Sequence, residues 1–408
     1  MPVTPPIGTC ILLSLPPALL AMLPRHALGL ILTSLLLLGL LPTDLLAQQT
    51  RAGTATLVGT VTDADTGEPL ESVNVFIAGS QRGTATDASG RYRLENIPLG
   101  AQRLFVSRVG YDAQARNLNL REAGIELLDF ELQEAEVELD ETIVTAERDD
   151  DWLERLQRFK RLFIGETPNA AETELLNPEV LDFSQSLTNF RAFADEPLEL
   201  ENQALGYRLT YFLEDFEATR TRTRWDGEPL FEPMQGTPEE EARWRENRRE
   251  AFLGSFHHLM LALISGRVEG QQFRLFLRPG AQPTAMGDAP FGPPPQLSGQ
   301  RYPVDDLSEI MEPAEAAEEW TLDFRGVVEI AYMGAEESEA YYEWIAQYSN
   351  DRRIRTGSRF QTSQIWLERG PATIDYKGDI VDPYGVTRSG YFAYKRIADQ
   401  LPKEYRPN

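Results

Sequence analysis

Hydrophobic and polar positions alternate along residues 54–133 in short runs that turn residues interrupt. Val73, Val75 and Ile77 occupy every second place in one run, and Asp87–Gly90 is a turn sequence that ends the next one. Because successive side chains of a strand point to opposite faces, this period of two indicates strands with one buried face. With turn residues every ~8–12 positions and no helical pattern between them, the stretch predicts an antiparallel β-sandwich of about seven strands.

The pattern changes to a helical period after a charged run, Glu147–Asp151. Trp152, Leu156, Phe159 and Phe163 recur at the spacing of one helix face, which predicts a short amphipathic helix that ends near Gly165. Residues 134–151 are therefore expected to be a linker and 152–408 a second domain.

The second domain combines strand and helix patterns, so it is expected to be α+β and the whole chain mainly β. A helix is predicted from Pro238 to about Ser265, unless Gly254 divides it in two, and a short one from Tyr391 to Leu401. Pro279–Gly299 lacks periodicity and is expected to be a loop. Strands are predicted at Phe190–Phe193, Leu198–Leu200, Tyr207–Phe216, Phe273–Leu277, Trp320–Tyr332, Arg359–Glu368 and Ala372–Tyr376.

The N-terminal segment has the layout of a signal peptide: Arg25 and His26 precede the apolar run Leu28–Leu41, which Pro42 breaks and Leu45–Ala47 closes. The run is shorter than the ~20 residues that cross a bilayer as a helix. We therefore predict that residues 1–47 are removed after Ala47, whether translation begins at Met1 or at Met22. Export to the periplasm, or association with the outer membrane, follows from this prediction.

Composition limits the chemistry of the mature chain. The single cysteine, Cys10, lies in the predicted signal peptide, so neither a disulfide nor a cysteine metal site is expected. The formal net charge of −25 repels phosphate backbones, which argues against nucleic-acid binding. The excess of acidic over basic residues is that expected of an acidic exported protein.

A succession of short motifs resembles a known module. It runs through Gly59–Asp63, Thr66–Leu70, Val73–Val75, Gly83–Asp87, Ile97–Gly100 and Val109–Tyr111. This order is similar to the carboxypeptidase regulatory-like (prealbumin-like) domain that often precedes the plug of TonB-dependent receptors in Gram-negative outer membranes. The resemblance covers residues 54–133 and implies a prealbumin- or Ig-like sandwich with a structural or adhesive role, without peptidase activity.

Further motifs resemble uncharacterised Gram-negative envelope proteins of about this length that carry the same leading module. The resemblance supports architecture and location, implies a complete protein, and carries over no activity. The motifs are Phe163–Glu166, Leu176–Leu181, Ala194–Leu198, Asn202–Tyr207, Leu213–Phe216 and Gly390–Pro402.

Leu139–Ala146 is similar to the segment near the energy-coupling TonB box of those receptors. A live box needs a barrel behind it, and residues 147–408 lack the repeated alternating segments of about 10 residues that a barrel requires. An ordinary linker is therefore expected, while a role as an accessory of TonB-dependent uptake stays open.

Candidate catalytic and metal-binding residues are few. His257 and His258 are adjacent, and the HExxH pair of a zinc protease is missing from the sequence. Gly254–His257 brings a serine near a histidine but lacks the nucleophile elbow. Asp63–Gly67 faintly resembles a calcium loop but reads better as a β-turn, because it lacks the distal glutamate.

Two carboxylate pairs, Asp195–Glu196 and Glu214–Asp215, could in principle face each other as in a glycosidase. Among 64 acidic residues such pairs arise by chance, so a hydrolase is the weaker alternative. The sequence favours a non-enzymatic envelope protein that binds or scaffolds a protein or glycan partner, with peripheral outer-membrane association as a further option. Catalytic, cofactor-binding and metal-binding residues are not expected, nor is a cofactor.

Overall fold

The computed structural model describes residues 53–135, 150–219, 222–281, 297, 299–315, 318–348 and 358–407. The predicted signal peptide 1–47, most of the predicted linker (136–149) and most of the Pro/Gly-rich loop (282–296) lie outside the described residues. The predictions made for those three segments therefore stay predictions.

Residues 53–135 fold as a sandwich of two sheets. Its strands are β1 (Thr54–Asp63), β2 (Asn74–Ile77), β3 (Gly83–Ala85), β4 (Arg91–Pro98), β5 (Gly100–Ser107), β6 (Gln114–Leu120), β7 (Ile125–Leu127) and β8 (Phe130–Leu132). In one sheet β1 lies between β4 and β7 and also pairs with β8, and the other sheet has the order β3-β2-β5-β6. Leu57, Val75 and Leu104 are among the apolar side chains buried between the sheets. Together with the second region, this confirms the mainly β class and the sandwich at its N-terminus.

The sandwich differs from the expectation in its number of strands and in the direction of two strand pairings. The structure has eight strands in residues 53–135, not about seven, and β1 pairs in parallel with both β7 and β8. Parallel neighbours need a long crossover, and here the whole second sheet lies between them in the chain. The alternation of hydrophobic residues identifies strands but carries no information about this crossover.

The second region begins with a helix and a six-stranded sheet. Its elements are α1 (Asp150–Phe163), α2 (Pro168–Ala171), β9 (Thr173–Leu175), β10 (Leu181–Gln185), β11 (Asn189–Ala194), β12 (Leu198–Asn202), β13 (Tyr207–Thr219) and β14 (Thr223–Pro233). The sheet has the order β10-β11-β13-β12-β9, and β14 pairs along the length of β13. The predicted face of α1 is buried: Phe159 and Phe163 stack on each other and meet Phe216 of β13 edge-on.

The described residues after β14 contain a five-stranded and a three-stranded sheet with four helices. The elements are α3 (Pro238–Phe252), α4 (Phe256–Ile264), β15 (Phe273–Arg278), β16 (Tyr302–Pro303), β17 (Met311–Pro313), β18 (Glu319–Leu322), β19 (Val327–Glu336), α5 (Glu339–Gln347), β20 (Phe360–Leu367), β21 (Ala372–Asp375), β22 (Val386–Gly390) and α6 (Tyr391–Tyr394). The sheet orders are β16-β15-β19-β20-β22 and β17-β18-β21.

The structure decides one open alternative, the division at Gly254, and shortens two other predicted elements. The long helix divides at Gly254, whose φ of 70° ends α3 before Ser255 caps α4. The strand predicted from Trp320 to Tyr332 is two strands, because Gly326 with φ 86° turns the chain between β18 and β19. The terminal helix stops at Tyr394, since Arg396 adopts an extended conformation and sends its guanidinium to the carbonyl of Leu162.

Candidate functional site

The sandwich docks on the second region through three phenylalanines. Phe76 of β2 and Phe105 of β5 point away from the sandwich core and pack against Phe212 of β13, with ring centroids 5.0 and 5.4 Å from the Phe212 ring. All three side chains are buried. Sequence reasoning missed this contact, although Phe76 and Phe105 stand out as large apolar residues between the inward-facing positions of their strands.

Main-chain hydrogen bonds extend the docking beyond side chains. The amide of Gly79 donates to the carbonyl of Pro229 at 2.8 Å, and the amide of Phe231 donates to the carbonyl of Ser80 at 3.0 Å. From the C-terminal segment, the amide of Lys403 donates to the carbonyl of Gly79 at 2.9 Å. The turn between β2 and β3 is therefore held by β14 and by the C-terminus, and Gly53–Asn408 forms one compact unit.

Paired charges line the same interface. Arg103 of the sandwich meets Glu228 of β14 at 2.8 Å, and the ammonium of Lys377 donates to Oε1 of Gln102 at 2.6 Å. Burial lowers the pKa of Lys377 to about 8, and the neighbouring charge of Lys403 acts in the same direction. These groups satisfy one another across the interface, so they join the two regions and do not form an open binding site.

The sandwich leaves part of the six-stranded sheet uncovered, and this part carries a connected set of polar and aromatic side chains. We call it the outer face and define it by Asn189, Arg191, Phe193, Asp215, Glu217, Arg224 and Tyr384. Three adjacent strands supply most of it, because Arg191 of β11 is opposite Glu217 of β13, which is opposite Arg224 of β14.

Ion pairs and hydrogen bonds connect the members of the outer face. Arg191 meets Asp215 at 3.3 Å, and Glu217 accepts a hydrogen bond from Asn189 at 2.7 Å while pairing with Arg224. Each carboxylate therefore has a guanidinium partner, and the network carries little excess charge within a strongly acidic chain.

Tyr384 reaches the outer face from the loop before β22. Its hydroxyl donates to Oδ2 of Asp215 at 3.0 Å, and the guanidinium groups of Arg224 and Arg369 lie 5.1 and 5.2 Å from its ring centre. Burial, and then the hydrogen bond to Asp215, raise the pKa of Tyr384, so the hydroxyl stays protonated and donates at neutral pH.

The apolar part of the outer face is Phe193, which is 43% exposed and lies beside the guanidinium of Arg191. Leu187, at the tip of the hairpin that joins β10 and β11, is 94% exposed. An exposed aromatic ring beside oriented polar groups is a typical composition for a recognition surface.

The structure does not bring the candidate carboxylates together as a reactive pair. Both oxygens of Asp215 are occupied, one by Arg191 and the other by Tyr384. Glu214 is exposed at a bulge of β13, and Asp195 and Glu196 are exposed in the turn after β11. In the described ranges no hydrogen bond joins the two clusters.

The two histidines make structural contacts. Nε2 of His257 lies 2.7 Å from the carbonyl of Lys377, and Nδ1 of His258 accepts from the amide of Gly254. Ser255 caps α4 by accepting from the amide of His258, so the Gly254–His257 stretch is a helix junction.

The side chain of Asp63 holds its own turn together through hydrogen bonds. One oxygen of Asp63 accepts from the amides of Asp65 and Thr66, and the other accepts from the hydroxyl of Tyr111 at 2.9 Å. This is the side-chain pattern of an Asx turn, in agreement with the turn predicted at Asp63–Gly67. Across the described ranges, no group of three or more His, Cys, Asp or Glu side chains is arranged to hold a metal ion.

The predictions that concern the membrane fall mainly on residues outside the described ranges. Leu139–Ala146, the segment similar to a TonB box, lies outside the described residues. Of the helices in the described ranges, none has the length and apolar character needed to cross a bilayer.

Comparison with known families identifies the N-terminal module. Residues 57–144 match the family model of the CarboxypepD_reg-like domain. This confirms the predicted resemblance for the sandwich, and the match ends before the second region. Comparison with curated proteins gave no significant match.

Solved structures share only a local likeness with the chain. A type II cohesin–X-dockerin complex of Acetivibrio cellulolyticus is 15% identical, with a TM-score of 0.16, over 19% of this chain and 52% of that one. Catechol 1,2-dioxygenase of Acinetobacter sp. ADP1 is 18% identical, with a TM-score of 0.18, over 24% and 59%. A minor pilin of Streptococcus agalactiae is 21% identical, with a TM-score of 0.17, over 20% and 45%. The chain thus spans about half the length of these structures, and such weak likenesses say nothing about its function.

Proposed function

We propose that this chain is a non-enzymatic binding or scaffold protein of the cell envelope that presents the outer face to a protein or glycan partner. The observation that carries the proposal is the docking of a carboxypeptidase regulatory-like sandwich on the second region through Phe76, Phe105 and Phe212. The docked sandwich gives the sheet a fixed support and leaves the outer face exposed beside it.

The composition of the outer face supports binding more than catalysis. Its carboxylates are held in ion pairs with Arg191 and Arg224, whereas a general acid or nucleophile needs a carboxylate free to reach the substrate. Phe193 supplies exposed apolar area beside the guanidinium of Arg191.

Capture from solubilised envelope membranes, alongside a glycan array, tests the proposal with matched variants. We expect Phe193→Ser to lower retention of the partner about tenfold, because one buried aromatic anchor contributes more than about 1 kcal/mol. Leu127→Ser is the control, since Leu127 is 74% exposed on β7 of the sandwich, away from the outer face. Equal loss in both variants, or turnover of a bound glycan, would contradict the proposal.

Export is tested separately. We expect the protein recovered from the envelope fraction to begin at Gln48, because the sequence before it has the order of a signal peptide. Mass analysis of the mature N-terminus measures this. Recovery of the uncleaved chain from the cytosol would show the envelope location to be wrong.

A further inference from the structure

A small pocket lies beside the first half of α1, on the opposite side of the six-stranded sheet from the outer face. It has a volume of about 200 Å³ and is lined by Asp151, Glu154, Arg155, Arg158 and Gln185. We call it the α1 pocket. All five lining side chains are polar, so a ligand bound there would be held by charge and hydrogen bonds.

Arg158 is the unusual member of this set. It is partly buried, with its guanidinium 4.6 Å from the ring centre of Phe190. Among the residues that the structure describes, no carboxylate forms an ion pair with it and no acceptor takes a hydrogen bond from it. Burial, and then the neighbouring charge of Arg161, lower the pKa of Arg158. The charge of Glu154, four positions earlier on α1, opposes this lowering without forming an ion pair with Arg158, and an anionic group of a ligand would offset the remaining cost of partial desolvation.

Gln185 completes the positive end of the pocket. It stands opposite Phe190 in the pairing of β10 with β11, which places it at the end of β10 next to the ring that Arg158 covers. A guanidinium and an amide together offer several N–H donors to one carboxylate.

The other end of the pocket is negative. Asp151 and Glu154 lie at the start of α1, and Asp151 makes only a long 4.0 Å contact with Arg155. Glu154 is four positions before Arg158, so the two residues stand about 6 Å apart along the helix axis. These carboxylates repel a phosphate or other multivalent anion and attract an ammonium group.

We propose that the α1 pocket binds a short peptide with free ends, whose carboxylate meets Arg158 and Gln185 and whose ammonium meets Glu154 and Asp151. Two extended residues span about 7 Å, which matches charges one helical turn apart better than a single amino acid does. The volume lies below the ~300 Å³ of ordinary ligand sites, so it accommodates a dipeptide of small residues. The site is independent of the outer face.

Titration of the full mature chain with glycylglycine at low salt tests this site, with calorimetry or NMR as the readout. We expect saturable binding, and a loss of about tenfold or more in affinity for N-acetylglycylglycine and for glycylglycinamide, because each analogue lacks one charged end. Absence of saturable binding up to about 10 mM, or equal affinity for the blocked analogues, would overturn the proposal.

Variants locate the site on the chain. Arg158→Gln should weaken glycylglycine about tenfold or more, while Arg158→Lys keeps part of the affinity. Arg161→Gln is the matched control, because Arg161 is exposed on the same helix and does not line the pocket. If Arg158→Gln lowers the melting temperature, Glu154→Gln serves instead and should weaken glycylglycine but not N-acetylglycylglycine. Unchanged affinity in both variants would contradict the assignment.

Discussion

Lys377 places a titrating group at the interface between the sandwich and the second region. Its ammonium bonds to Gln102 and faces Lys403, Asp375, Asp379 and Glu404. Burial lowers the pKa of Lys377 from 10.5 to about 8, so the unfolded chain binds more protons than the folded one between these two values. Stability therefore rises with pH in that window.

We expect the free energy of unfolding to increase by about 1.4 kcal/mol from about pH 7 to about pH 9, because the folded state loses its proton there and the unfolded state keeps it. Urea denaturation at the two pH values measures the change. In Lys377→Met the increase should disappear. An equal increase in the variant would show that another group titrates.

Phe193 and Phe212 show how the position of one residue type decides its role. They belong to neighbouring strands of one sheet, yet Phe193 is 43% exposed and Phe212 is 7% exposed. Both read as strand residues in the sequence. The sandwich packs on Phe212 and makes it a structural residue, whereas Phe193 stays available to a partner.

At the scale of elements, the sequence predicts a helix or a strand when the spacing of its own apolar residues reveals its buried face. Helix α1 and strand β13 follow from the spacing of their apolar residues, since one face of each is buried in the same core. Strand β14 escaped prediction because Gly227 and Pro229 resemble a turn, while its pairing with the long β13 makes it a strand. Helix α5 escaped because its aromatic residues pack mainly on α6, far along the chain.

The candidate site was harder to predict from the sequence than the fold. Asp215 was recognised as a candidate, but its partners Arg191 and Tyr384 lie 24 and 169 positions away in the chain. Spacing along a sequence cannot reveal such contacts, because they depend on strand order and on a loop from another sheet.

The junction between α3 and α4 supports a prediction on Gly254. Its φ is 70°, and a Cβ there would lie 2.6 Å from the Tyr332 ring. We expect Gly254→Ala to destabilise the protein by about 3 kcal/mol, from the left-handed backbone and the steric clash together. Gly266→Ala isolates the first effect, because φ is 64° there and no atom lies within 4 Å of the added Cβ. The control should cost about 1 kcal/mol. Equal costs in urea denaturation would refute the steric part.

At the scale of the whole molecule, the sandwich combines a hydrophobic core of its own with a surface that is buried against the second region. Its own core of residues such as Leu57, Val75 and Leu104 predicts that residues 54–133 fold alone with a cooperative melt. Phe76 and Phe105 are buried only against the second region, so a fragment would expose them. The two regions are therefore expected to stabilise each other in the full chain.

Phe212→Ala tests this mutual stabilisation. We expect a loss of about 3 kcal/mol and an earlier, separate unfolding of the sandwich in calorimetry, because the substitution leaves a cavity between the regions. Phe193→Ala is the control, since an exposed ring of the same sheet should contribute less than about 1 kcal/mol. A single transition at the wild-type temperature in Phe212→Ala would show that the docking contributes little.

We propose that the outer face is the surface that meets a partner in the envelope. Photo-cross-linking in cells tests it directly, with a light-activated amino acid placed at Phe193 or at Leu127. We expect a discrete cross-linked adduct of the mature protein from position 193 and none from position 127. A discrete adduct from position 127 with none from position 193 would contradict the claim.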